Sequence, residues 1–131
     1  MTENEIATLV FKSSLEVHKN LGPGLLESTY QECLYFELKQ SGLFVEKEKS
    51  LPVVYKNVTL DLSYRIDLFI ENKFIVELKS VEAINPIHMS KIITYLKLSK
   101  CRLGMLINFN VPLLKQGVKR VINSSKAPTK T

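Results

Sequence analysis

A mixed α/β (α+β) domain, with helices packed on a central sheet, is predicted by three observations on this 131-residue chain. Apolar residues recur at helical spacing in the first third of the chain, from Ile6 to Val17 and from Leu26 to Leu38. They alternate with period two between Arg65 and Lys79, as paired strands require. A helical stretch opened by Asn85-Pro86 then leads into Leu103 to Phe109, a continuous apolar run typical of a strand buried on both faces. The order is helix, helix, antiparallel strands, helix, strand, strand, which calls for helices laid against one sheet.

The elements follow in chain order. Thr2 and Glu5 have capping-box spacing, and Ile6, Leu9, Val10, Ser13, Ser14 and Val17 continue at helical spacing. Leu21-Gly22-Pro23-Gly24 must end that helix. A second helix is expected from about Leu26 to Gln40, with Leu26, Tyr30, Leu34 and Leu38 on one face and Gly42 as its C-terminal cap. Strands are expected at Phe44 to Glu48, Val53 to Tyr55 and Val58 to Leu60, the last two joined by a Lys56-Asn57 turn. Arg65 to Ile70 and Phe74 to Lys79 form a hairpin across Glu71-Asn72-Lys73. A third helix runs from Asn85-Pro86, as N-cap and first helical residue, to about Leu98. Val118 to Ile122 is a last edge strand.

Length and balance point to one domain, 1–123, followed by a flexible basic tail, 124–131. With 45% hydrophobic and 24% charged residues, such a chain buries one core without staples. No apolar run approaches the roughly eighteen residues needed to span a bilayer, so no membrane partner is expected. The segment Met1 to Glu5 is acidic and polar, unlike a secretory signal, which favours a cytoplasmic protein. Cys33 and Cys101 match no zinc or redox spacing and read as reduced thiols. A net charge of +5 mildly favours a polyanionic partner, although no arginine-rich block accompanies it.

The hairpin is the most informative stretch. Ile66, Leu68 and Ile70 share one face of the first strand, and Phe74, Val76 and Leu78 share one face of the second. A three-residue loop opposes Ile70 to Phe74, Leu68 to Val76 and Ile66 to Leu78. The other face then opposes Asp67 to Glu77 and Arg65 to Lys79, whereas a slip of one residue mixes the faces. A bulge would upset this count. Opposed carboxylates repel unless one is protonated or a cation lies between them. A hard divalent cation suits such a pair, and a lysine two residues on can orient a bound water or meet charge on an attacked phosphate. The plainer alternative is a solvated salt-bridge row. Against it, Phe69 and Ile75 flank the acids and call for a helix over that face.

Four segments resemble a known family. Gly24-Leu25-Leu26-Glu27-Ser28-Thr29-Tyr30 matches a Gly-x-x-Glu-x-x-Tyr signature, and Arg65-Ile66-Asp67-Leu68 with Val76-Glu77-Leu78-Lys79 a second motif. His88 with Tyr95-Leu96-Lys97 matches a third, and Leu103-Gly104-x-Leu106-Ile107-Asn108-Phe109 a fourth. The chain thus resembles the GxxExxY proteins of the PD-(D/E)xK nuclease-like superfamily, from about Val17 to Ile122. Two positions depart from the pattern. Ile66 stands where the superfamily name has Pro, and Lys91 where relatives usually carry Gln.

The resemblance implies a restriction-endonuclease-like mixed sheet flanked by helices. It also implies a Mg²⁺- or Mn²⁺-dependent phosphodiester hydrolase acting on DNA or RNA. Asp67, Glu77 and the backbone carbonyl of Leu78 would hold the metal, and Lys79 would manage the water and the phosphate charge. Glu27 would assist through a metal-bound water, or would serve only the start of its helix, where the dipole favours an acid. Lys91, His88 and Tyr30 are the substrate-side candidates. Lys91 can meet a phosphate as a point charge or pair with one of the acids. His88 and Tyr30 also have plain structural readings, a hydrogen-bonded helix histidine and a core aromatic. A catalytically silent nuclease-fold module that binds nucleic acid or protein is the rival to hydrolysis. One small domain has a short nucleic-acid footprint, which would suit a homodimer.

Overall fold

The first helix begins where the sequence supplies its cap. The Thr2 hydroxyl accepts the Glu5 N–H at 3.2 Å and the Glu5 carboxylate accepts the Thr2 N–H at 2.8 Å, which satisfies two free donors of α1 (Glu3–Leu21). The structure is a computed structural model that describes residues 1–62 and 64–126. α1 ends at Gly22, whose φ of 69° lies in the left-handed region. α2 (Glu27–Gln40) is closed by Gly42, with the Leu43 N–H donating to the Leu38 carbonyl at 3.3 Å.

Five strands form one sheet in the order β1 (Val45–Ser50), β4 (Arg65–Ile70), β5 (Phe74–Lys79), β6 (Leu103–Asn108) and β7 (Val118–Ile122). All neighbours are antiparallel except β5 and β6, which are parallel and joined through α3 (Pro86–Ser99). The mixed α/β architecture expected from the sequence is therefore the one observed. β2 (Val53–Tyr55) and β3 (Val58–Leu60) make a separate two-stranded sheet. Lys56 and Asn57 turn between them with φ of 48° and 67°, the geometry of a tight hairpin.

The sheet is covered on both faces. α1 and α2 bury Ile6, Val10, Tyr30 and Leu34 with Leu68, Ile70, Phe74 and Val76. α3 buries Ile92 and Leu96 on the opposite face, with Phe69, Ile75 and Leu106. Gly104 lies at the tightest point of that second layer. A Cβ there would stand 2.8 Å from the Ile75 carbonyl oxygen and 3.3 Å from a Leu96 methyl, which explains a glycine inside a buried strand. Cys33 and Cys101 are free thiols, and burial pushes that of Cys101 up. Among the described residues no helix is long and apolar enough to cross a membrane.

Three local expectations change. β1 is shifted toward Val45–Ser50. A short 3₁₀ turn, Leu114–Gly117, precedes β7. At the start of the expected tail, the Lys126 N–H bonds the Asn123 carbonyl at 3.1 Å, and Arg102 donates to the Lys126 carbonyl at 2.7 Å. The rest of the tail, 127–131, lies outside the described residues. The third change concerns Ile66. It packs in the α3 layer, whereas Leu68 and Ile70 pack in the α1–α2 layer. Regular alternation fails at the residue between them, Asp67.

Candidate metal centre

The β4–β5 ladder pairs Ile70 with Phe74, Phe69 with Ile75 and Leu68 with Val76, the expected register. It stops there. At the next position, where counting opposes Asp67 to Glu77, side chains take over from the backbone. The Asp67 N–H donates to Glu77 Oε2 at 3.0 Å, and the Leu78 N–H donates to Asp67 Oδ2 at 2.8 Å. On the other side of β4, Glu48 is absent from the β1 pairing and has a φ of 51°. β4 thus loses regular pairing on both edges at Asp67, which lets the chain turn Ile66 to the other face. Arg65 does not reach Lys79 as simple counting suggested; it donates to the Ser50 hydroxyl at 3.3 Å and the Tyr64 carbonyl at 3.0 Å.

Each carboxylate is therefore fixed by a backbone amide of the opposite strand. Glu77 is only 3% exposed. Its Oε1 is buried and has no hydrogen bond among the described residues, and the Lys91 Nζ of α3 stands 4.0 Å away, at the outer limit of an ion pair. The Glu77 carboxyl is pushed up to about 9. Burial is the main cause, followed by the charge of Asp67 and a side-chain hydrogen bond with it, while the Asp67 N–H bond and Lys91 act in the opposite sense. Tyr95 of α3 lies beside the pair, and its phenol is raised, first by burial and further by Glu77 and Asp67.

Lys79 follows Glu77 by two residues and shares its face of β5, since the alternating Val76 and Leu78 pack toward α1 and α2. The Leu78 backbone is held beside the acids through its N–H bond to Asp67. Glu27 opens α2 and its carboxylate accepts the Ser80 N–H at 3.3 Å. The Ser80 hydroxyl donates to the Leu25 carbonyl at 2.6 Å. These two bonds bring Glu27 to the exit of β5, one residue past Lys79.

Two candidates have structural work. Tyr30 is fully buried and stacks on Phe109 at 4.4 Å with an interplanar angle of 5°. Its hydroxyl donates to the Gly22 carbonyl at 2.6 Å and accepts the Leu25 N–H at 3.1 Å, so it clamps the loop between α1 and α2 and offers no exposed surface to a substrate. His88 shares a capping box with Asn85: Nδ1 accepts the Asn85 N–H at 3.2 Å and Asn85 Oδ1 accepts the His88 N–H at 3.1 Å. Of the three substrate-side candidates, Lys91 is the one that approaches the carboxylates, 4.0 Å from Glu77 Oε1.

Two supporting residues escaped the sequence reading. Gln31, one turn on from Glu27, donates to the Asp67 carbonyl at 3.3 Å. Its i, i+4 relation to Glu27 was the only signal available. Asn108, 2% exposed and paired with Lys79 in the parallel register, accepts the Val81 and Asn110 N–H groups and donates to the Val81 carbonyl at 2.9 Å. It fixes the chain as it leaves the Glu77–Lys79 strand.

The donor set favours a hard cation: two carboxylates with a nearby main chain, one of them with a buried oxygen that has no hydrogen bond among the described residues. Among the described residues no group of three or more His, Cys, Asp or Glu side chains gathers as a ready cage, so main-chain oxygen and water would have to complete the set. Comparison with known proteins adds one finding. The family model described as the PD-(D/E)XK nuclease superfamily matches residues 4–121. No curated protein and no solved structure matches.

Proposed function

Because this chain belongs to the PD-(D/E)XK nuclease superfamily, we propose that it hydrolyses phosphodiester bonds of DNA or RNA with a divalent metal, Mg²⁺ or Mn²⁺, held by Asp67 and Glu77. The observation that carries this reading is the buried Glu77 oxygen without a hydrogen bond, set beside a second carboxylate. An ionised carboxylate so placed is costly unless a cation compensates it. The Gly24–Tyr30, Asp67, Glu77–Lys79, His88–Lys97 and Leu103–Phe109 segments further support a place among the GxxExxY proteins.

Asp67 and Glu77, with the Leu78 carbonyl, would hold the ion, which would supply Lewis acidity toward a phosphoryl oxygen and a more acidic water. The remaining work falls to the chain. Backbone amides hold both carboxylates in place, so no reorganisation is needed when an ion arrives. The Lys79 ammonium, on the same face of β5, meets negative charge that develops on the phosphate. Glu27 and Ser80 fix the strand exit that presents Lys79. Lys91 neutralises a phosphate beside Glu77.

A second reading has an observation of its own. Lys91 stands where it can offset Glu77 without a metal, and Glu27 is engaged with Ser80, which favours a catalytically silent nucleic-acid or protein module. The two separate cleanly by experiment. Single- and double-stranded DNA and RNA are incubated with Mg²⁺ or Mn²⁺ and the wild type, Asp67→Asn or Lys79→Ala. Cleavage by the wild type and loss of roughly a hundredfold or more in both variants is expected. Cleavage that survives both substitutions removes the site assignment. No cleavage and no calorimetric metal binding selects the silent module.

A further inference from the structure

A groove of about 500 Å³ runs beside the carboxylate pair, between α3 and the chain that enters and leaves the β2–β3 hairpin. That volume is within the roughly 300–1,000 Å³ of small-ligand sites. One wall carries Leu62 and Tyr64, the other Ile87 and Tyr95 of α3. Leu62 is 52% exposed, Tyr64 45% and Ile87 76%, so large apolar groups face solvent together here. The Tyr64 ring meets Tyr95 edge-on at 6.3 Å and 69°, which fixes its orientation while leaving surface open. Lys91 lines the same groove and reaches within 4.0 Å of Glu77. The groove and the candidate metal centre are therefore continuous through one cation.

This surface offers one positive charge, an exposed ring and an apolar slot, not a basic track. A duplex presents phosphates and keeps its base faces stacked inside. Bases become available to aromatic side chains only where the strand is single. An apolar peptide would also find the walls congenial, but it would have no use for a lysine leading to a pair of acids. Phosphate on Lys91 with a base against Tyr64 uses both halves of the groove.

We propose that this groove is a nucleobase slot and that the substrate class is single-stranded nucleic acid or an unpaired end, with a base packed on Tyr64 and its phosphate directed to Lys91. The cleavage of that strand rests on the metal-dependent reading of Asp67 and Glu77; the slot itself does not. Binding is measured without metal, in EDTA, using short DNA and RNA oligonucleotides that carry 2-aminopurine, single-stranded or in a blunt duplex of the same sequence. Stacking quenches the probe. The single strand binds at least tenfold more tightly than the duplex and its fluorescence falls. Tyr64→Ala weakens that binding by roughly tenfold or more and restores the fluorescence, while Tyr64→Phe retains both. Ile87→Asp, at an exposed helix position, weakens binding in the same way. Equal affinity for duplex and single strand overturns the proposal, as does quenching untouched by Tyr64→Ala, or a peptide ligand displaced by Ile87→Asp with no oligonucleotide binding at all. Asp67→Asn retains the quenching. If the wild type stacks the base but never cleaves, the hydrolytic reading fails alone; if it cleaves duplex as fast as single strand, the slot fails alone.

Discussion

Glu77 carries the sharpest electrostatic consequence. Its carboxyl sits near 4.5 in an unfolded chain and about 9 in the fold. Between these values the folded state holds a proton that the unfolded state releases, so folding takes up a proton and stability falls as pH rises. The contribution is complete below about 4.5, is lost progressively toward 9 and changes no further above that. Glu77→Gln keeps an oxygen for the Asp67 N–H and adds an N–H that can donate to the Asp67 carboxylate. Without metal, the variant should exceed the wild type in stability by on the order of 2 kcal/mol at pH 7, with the gap closing near pH 4. Denaturant melts across pH check this; a gap independent of pH would refute the protonation account. The juxtaposition of Asp67 and Glu77 was legible in the sequence, because an apolar register left them opposed. Their mode of contact was not, since a side chain that captures the opposite strand's amide leaves no trace in residue spacing.

At the scale of elements, the helices were the most legible, because each announces itself locally. Thr2 and Glu5 cap α1, Gly42 closes α2 and Asn85-Pro86 opens α3. The hairpin register was legible as far as Leu68 and failed beyond it, where an irregular β4 turned Ile66 toward α3. Tyr30 was read both as a substrate-side candidate and as a core aromatic, and packing gives it the second task, holding the α1–α2 loop. That loop matters to the site through a short relay: Tyr30 fixes Leu25, Leu25 accepts from Ser80, and Ser80 binds Glu27. Tyr30→Phe keeps the stack on Phe109 and removes two hydrogen bonds. It should cost about 1–2 kcal/mol of stability by denaturant melt. Amide exchange should speed first at Leu25 and Ser80, with the sheet interior unchanged. Exchange that rises uniformly across the sheet would show that the hydroxyl supports the core as a whole and not this relay.

At the scale of the molecule, β4 and β5 are shared by both layers, with Leu68 and Val76 in the α1–α2 core and Phe69 and Ile75 in the α3 core. An ion held by Asp67 and Glu77 would therefore stabilise an element that both cores need. Its binding should register as cooperative stabilisation of the whole chain, not as local ordering. At Mn²⁺ or Mg²⁺ tenfold above Kd, linkage adds about 1.4 kcal/mol, or roughly 4–6 °C in Tm for a domain of this size. The sign of the pH dependence follows from Glu77. The ion must displace its proton, so the metal-induced rise in Tm should grow from pH 6 to pH 8.5, while the metal-free Tm falls over the same range. Glu77→Gln should abolish the metal effect and also flatten the metal-free slope. Calorimetric scans of the wild type and Glu77→Gln, with the ion and with chelator, separate these outcomes. A metal-induced shift that persists in Glu77→Gln would place the ion elsewhere and leave Lys91 as the partner of the buried acid.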